Sequence, residues 1–275
     1  MDSAARQPLR AGAAAGVRGS YPLPMQALTA RTDDTARRLW AWLVRAPAYP
    51  PEPADLRTVD VVGLWLPIRA TVAVSVTVFA FLFDYSRTFV PNDGTMDWRS
   101  AAGTWTMALE RAVLFGLVPL LVIVLGFRDR PARYGLRLGD WRAGVTLAVV
   151  GCAVMTPIVL WFARLPDAEA YYAPGVVAGE PGRVVLTNLI DLTATEFLVR
   201  GFLMFSLIRI IGPFGVLVAT LPFVFSHLGK PELELFSTLG GGLVYGWLAW
   251  RTTSIVWGAL GHTYILSLAM LAAAR

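Results

Sequence analysis

The chain has 275 residues, 56% of them hydrophobic and 16% charged, with a formal charge of +5 and a mean hydropathy of +0.56. That balance excludes a soluble α/β domain of this length, whose apolar share is lower and more evenly interrupted by charge. Its Arg residues cluster in the N-terminal stretch and in short segments beside apolar runs, so the positive balance reads as membrane topology, with no nucleic-acid surface.

Residues 1–35 mix Ala, Gly, Arg and Pro with few large apolar groups, and are expected to form a disordered cytoplasmic tail. From Ala36 to Ala46, Arg37, Arg38 and Arg45 alternate with Trp40 and Trp42, which suits an interfacial helix on an anionic leaflet, ended by Pro50, Pro51 and Pro53. The first 60 residues contain no apolar signal-peptide core, so the first span is expected to act as its own insertion signal. The resulting division is a tail over 1–60 and a membrane domain over 61–275.

Seven apolar stretches follow, over about 62–83, 107–127, 143–163, 184–208, 214–228, 234–250 and 254–272. Most approach the roughly 20 residues a helix needs to cross a bilayer core. The fold class expected is therefore all-α: a polytopic bundle of about seven transmembrane helices, with the fifth and sixth short enough to be tilted or partly re-entrant. Arg69, Glu110 and Arg111 fall near span ends, where long side chains can snorkel to the interface. The lone Cys152 lies inside an apolar run, excludes an internal disulfide, and reads as a small packing residue.

Loop charge sets the orientation. The tail carries eight Arg and the 128–142 loop five, whereas the 84–106 loop mixes Asp84, Asp93 and Asp97 with Arg87 and Arg99. Basic segments alternate with near-neutral ones, placing the N-terminus in the cytoplasm and the C-terminus outside. Gly240, Gly241, Gly242 and Gly246 give the sixth stretch a small-residue face, read as packing within the chain rather than as a dimer motif.

Polar groups inside these stretches need a reason. Glu196 lies near the middle of the fourth, with Arg200 one helical turn on and Asp191 five residues before it as a structural partner. The only two His residues, His227 and His262, fall in the fifth and seventh. Two imidazoles and a carboxylate on three helices suit one shared site. They could hold zinc as a His2Glu set with an open position, or Glu196 could activate water as general base while a His orients it or supports the oxyanion. No His-Glu-x-x-His pair is present, which favours the metal-free version with no cofactor.

The residues from about 134 to 272 resemble the CPBP intramembrane proteases, which include CAAX prenyl endopeptidases and bacterial bacteriocin-processing or self-immunity proteins of the Abi type. The resemblance rests on Gly135-Leu136, Gly139-Asp140-Trp141-Arg142, the run from Glu196 to Leu203, the Phe223 to His227 spacing, and Thr253-Ser254-Ile255 leading to His262. It implies an endopeptidase acting on a hydrophobic membrane-anchored peptide or protein among membrane lipids, with Glu196, His227 and His262 catalytic and Arg200, Thr195 and Phe223 in support. The family's first motif, Glu-Glu-x-x-x-Arg, aligns with Thr195, Glu196 and Arg200, so its leading Glu is Thr here. The Asn or Asp expected four residues after His262 is Leu266. Those departures set up the alternative, a catalytically inactive scaffold of the same fold that binds a hydrophobic tail or another membrane protein. A transporter using Glu196 as a proton carrier is a third reading. The Arg-rich, Lys-poor usage fits a bacterial inner membrane.

Overall fold

The computed structural model describes residues 24–86, 97 and 99–275, with the backbone alone for 24–33. Helix α1 runs Pro24–Val44. It begins well before Ala36, which corrects the expectation of disorder up to residue 35; Ala27, Leu28, Ala30 and Arg31 are all good helix formers, and no Gly or inner Pro interrupts them. Residues 1–23 of the expected tail lie outside the described residues. The chain divides into two compact units, Met1–Trp42 and Leu43–Arg275, and the long apolar helices all belong to the second.

That unit opens with a hairpin, β1 (Thr58–Val61) antiparallel to β2 (Leu64–Pro67), with Val59 opposite Leu66. Val62 and Gly63 form its turn with φ of 54° and 80°, the left-handed pair that matches strand twist, and Asp60 accepts a hydrogen bond from the Gly63 N–H at 2.7 Å. The first span therefore starts later than expected, at α2 (Ile68–Ser86), because the β-branched residues before it pair locally as strands.

The second stretch is one rod, Ala101–Gly126. It consists of α3 (Ala101–Arg111), a π segment Ala112–Leu117, α4 (Val118–Leu121) and a second π segment Val122–Gly126. Pro119 has no N–H to donate and its ring crowds the preceding turn; the wider π turns on both sides accommodate it. The remaining helices are α5 (Trp141–Phe162), α6 (Pro166–Tyr172), α7 (Pro181–Glu196), α8 (Phe205–Ile211), α9 (Phe214–Phe225), α10 (Glu232–Thr252) and α11 (Val256–Ala273). A π segment, Phe197–Met204, joins α7 to α8.

Helices thus occupy all seven apolar stretches. Four of them, Ile68–Ser86, Ala101–Gly126, Trp141–Phe162 and Val256–Ala273, are long and apolar enough to cross a membrane, and α9 is shorter. Helix α7 has 16 residues and carries Asp191 and Glu196, and α10 opens with Glu232 and Glu234.

One end of the bundle is closed by charge. Asp55, 2% exposed, meets Arg69 at 2.9 Å, Arg133 at 3.1 Å and Arg209 at 3.6 Å. Asp129 meets Arg69 at 3.0 Å and Arg133 at 2.7 Å. Arg69 therefore does not snorkel; it clamps the segment before the hairpin to the loop after the second rod. Arg111, on the rod that ends before that loop, is half-buried between Asp84 of α2 at 2.9 Å and Asp191 of α7 at 3.1 Å. Glu110 is buried. The rod begins at Ala101 rather than near residue 107, so both lie about ten residues inside it, and each is held among helices rather than extended from a span end.

Two short motifs dock on one another at the same end. Gly139, at φ +56°, sits where a Cβ would lie 1.9 Å from the Thr252 carbonyl, and that carbonyl accepts from the Asp140 N–H at 2.9 Å. Ile255 donates to the Gly135 carbonyl at 3.0 Å, and Arg251 pairs with Asp140 at 2.9 Å. On α10, a Cβ at Gly242 would meet Thr220 at 2.5 Å and one at Gly246 would meet Val216 at 2.7 Å, so this face packs inside the chain against α9.

Candidate active site

Glu196 ends α7 just where the helix widens into the π segment. It is 1% exposed, and its Oε1 accepts from His262 Nδ1 at 3.0 Å. Arg200, also 1% exposed, brings Nη1 to 3.3 Å from the same oxygen. That contact is an ion pair by distance but not a well-angled hydrogen bond: neither Nη of Arg200 has a hydrogen-bond partner among the described residues. The guanidinium lies instead over the Phe223 ring, 3.8 Å from its centroid, where the ring face attracts the cation.

Phe223 is the hub of the cluster. His227 sits edge-on to its ring at 4.6 Å and His262 at 5.6 Å, so the two imidazoles are no farther apart than the sum of those distances. His262 also stacks on Tyr245 of α10, with centroids 5.0 Å apart and planes 19° apart. The sequence-derived residues Glu196, Arg200, Phe223, His227 and His262 are thus brought together. Thr195 stands beside them, and its hydroxyl donates to Asp191 at 3.2 Å.

The tautomers follow from the partners. His227 Nδ1 lies 2.8 Å from the Phe223 carbonyl oxygen, which can only accept, so Nδ1 carries the proton and Nε2 of the neutral ring keeps its lone pair. His262 donates from Nδ1 to the Glu196 carboxylate, which fixes its ring orientation.

A cavity of about 1600 Å³ opens on this cluster. Thr195, Phe223, His227, Tyr245 and His262 line it, while Glu196 and Arg200 lie behind its wall. Glu234, Lys230 and Tyr172 line it beside His227. Lys230 Nζ donates to Glu234 Oε1 at 2.8 Å, the Tyr172 hydroxyl donates to Oε2, and His227 Nε2 lies 3.8 Å from Oε1. Burial pushes the Tyr172 hydroxyl well above its ordinary pKa, and the Glu234 charge pushes it further, so it stays a donor.

Sequence reasoning missed Tyr172, Lys230, Glu234 and Tyr245. The turn from Leu228 to Pro231 decides whether Glu234 faces His227, and no periodicity reports that. Tyr245 had a faint signal, lying three residues from Gly242 on the packed face of α10. Leu266 lines the cavity as an apolar residue, packed in the group around Tyr172, Val184 and Met270. Next to it, Asn188 of α7 reaches Ser267 at 3.0 Å and also faces the cavity. Cys152 is half-buried and also lines the cavity.

A zinc site built on Glu196, His227 and His262 does not fit this arrangement: among the described residues no three His, Cys, Asp or Glu side chains gather as ligands. The set divides into two pairs, Glu196 with His262 and Glu234 with His227.

Residues 179–266 match a family model described as type II CAAX prenyl endopeptidase Rce1-like. That range spans Thr195, Glu196, Arg200, Phe223, His227 and His262. The search of curated proteins and the search of solved structures gave no match.

Proposed function

We propose, from the chain's membership of the CPBP family, that it is an intramembrane endopeptidase hydrolysing a peptide bond of a membrane-anchored or lipid-associated substrate. The observation that carries this reading is the pair His227 and His262, set on two sides of Phe223 and facing one large cavity among apolar helices. Their hydrogen bonds prepare them for different tasks. His227 has a free Nε2 lone pair and suits a general base. His262, backed by a buried carboxylate, suits an imidazolium that polarises the scissile carbonyl or protonates the leaving nitrogen. Glu196, the sequence-based candidate for activating water, has both neighbours on one oxygen and lies behind the wall, which supports a positioning role through His262.

Integral insertion with the N-terminus in the cytoplasm, in a bacterial inner membrane, completes the reading. A second reading, the inactive scaffold, is favoured by Thr195, which puts a hydroxyl on the cavity wall where the family motif has a carboxylate. Purified protein in liposomes, offered single-span peptides, separates the two: cleavage lost in His227→Ala and in His262→Ala supports the protease. Peptide binding without cleavage by the wild type supports the scaffold. Activity insensitive to chelators fits the metal-free arrangement.

A further inference from the structure

The contact between His227 and Glu234 contains an electrostatic conflict. Nε2 of the neutral imidazole is an acceptor, and it faces the carboxylate Oε1, also an acceptor, at 3.8 Å. The gap is too long for a hydrogen bond, and two acceptors this close repel. A molecule with two protons resolves this. Water at about 2.8 Å from each atom donates one hydrogen to Nε2 and the other to Oε1. Its oxygen lone pairs are then left to face the cavity that both residues line.

We propose that Glu234 of α10, with Nε2 of His227, holds and activates the hydrolytic water, so that this chain takes its water-binding carboxylate from α10 instead of from position 195 on α7. The proposal rests on the endopeptidase reading. Glu234 is well fixed for the task. Lys230 holds Oε1 at 2.8 Å, the Tyr172 hydroxyl holds Oε2, and the residue lies in the first turn of its helix, where the positive dipole end favours a carboxylate. Asp191, which accepts from the Thr195 hydroxyl at 3.2 Å, has both oxygens on the Arg111 guanidinium at 3.1 Å and serves as its counter-charge.

In the reaction, the water oxygen forms a bond to the scissile carbonyl carbon while one water proton passes to His227 Nε2. The carbonyl electron pair moves onto its oxygen, which faces the His262 side. Glu234 keeps its charge, retains the second water proton in its hydrogen bond, and stabilises the imidazolium formed on His227. Collapse of the tetrahedral intermediate breaks the C–N bond, and His227 returns its proton to the departing nitrogen. The sum is water added across one amide.

The test uses the full-length protein in liposomes with a mixture of synthetic single-span peptides, run in water enriched in oxygen-18 and read by mass spectrometry. The wild type should leave one heavy oxygen in each new C-terminal carboxylate. Glu234→Gln should lower the rate by about 100-fold or more at unchanged KM. Glu234→Ala should regain part of its rate on adding formate, a rescue that a merely structural role would not give. If Glu234→Gln fails to fold, Glu234→Asp serves: it keeps the Lys230 pair but withdraws from His227, and should be slowed at least about 10-fold. Retention of activity within about threefold in the folded Gln or Asp variant overturns the proposal while leaving the endopeptidase reading intact. Failure of the wild type to cleave any peptide overturns both.

Discussion

Glu196 on α7 accepts a hydrogen bond from His262 Nδ1 on α11 at 3.0 Å, and both of these groups sit in a part of the bundle where a charge without a partner is costly. The same oxygen faces Arg200 at 3.3 Å, so a single carboxylate neutralises one buried cation and orients one imidazole.

Glu196→Gln should therefore harm stability as well as turnover. It leaves Arg200 buried without its counter-charge, at a cost of about 3–5 kcal/mol. Glu196→Gln with Arg200→Met should recover most of that loss, because an apolar replacement of a buried pair is close to neutral. Turnover should stay about 100-fold down or lower in both. Thermal unfolding in detergent beside peptide cleavage checks this; equal destabilisation of the single and double variants refutes it.

The glycines of α10 should behave in two classes. Gly242→Ala pushes a methyl to 2.5 Å from Thr220 and should cost about 1–3 kcal/mol. Gly240→Ala meets nothing within 4 Å and should be neutral or stabilising by up to about 1 kcal/mol. Unfolding midpoints compare them directly, and an association change in Gly242→Ala without loss of stability would point instead to a dimer face.

Asp55 gives the protein an acid-sensitive joint. Burial alone raises its pKa, but the Glu52 N–H, Arg69, Arg209 and Arg133 outweigh that and hold it below the ordinary carboxylate value. A depressed folded pKa means that this stabilisation is complete above the unfolded value, about 3.9, and is lost as pH falls through the lower folded value. Stability measured from pH 6 downward should fall in that acid range, and Asp55→Asn should be less stable at neutral pH and flatter in acid. A parallel fall in both proteins excludes Asp55 as the cause.

The cavity should open away from the cytoplasm. Arg69, Arg133 and Arg209 gather at one end of the bundle, and α9 runs from that end toward His227. In the proposed orientation, which follows the positive-inside tendency, the Arg end faces the cytoplasm. In a Cys152→Ser background, an impermeant thiol reagent on intact cells should label Leu228→Cys, 65% exposed, and spare Arg130→Cys. The reverse pattern inverts the orientation.

Sequence by itself determined the solvent, the helical class and the motif residues. Apolar runs near the length of a bilayer core can satisfy their backbone only as helices, and Glu196, His227 and His262 stand out because ionisable groups in such runs are rare. Sequence also set Asp191 apart from the candidate residues Glu196, His227 and His262, and the structure gives it Arg111 as partner. Only the tertiary structure decided what each group faces. Arg111 could extend from a span end or pair within the bundle until packing set it between Asp84 and Asp191. Hairpin pairing moved the first span to Ile68, a choice between local strand and helix that apolar content does not make. Glu234 reaches His227, and Tyr172 reaches Glu234, through a turn and a loop whose conformations depend on long-range packing. Periodicity reports which side of a helix is apolar; which carboxylate meets which imidazole depends on how those helices are packed.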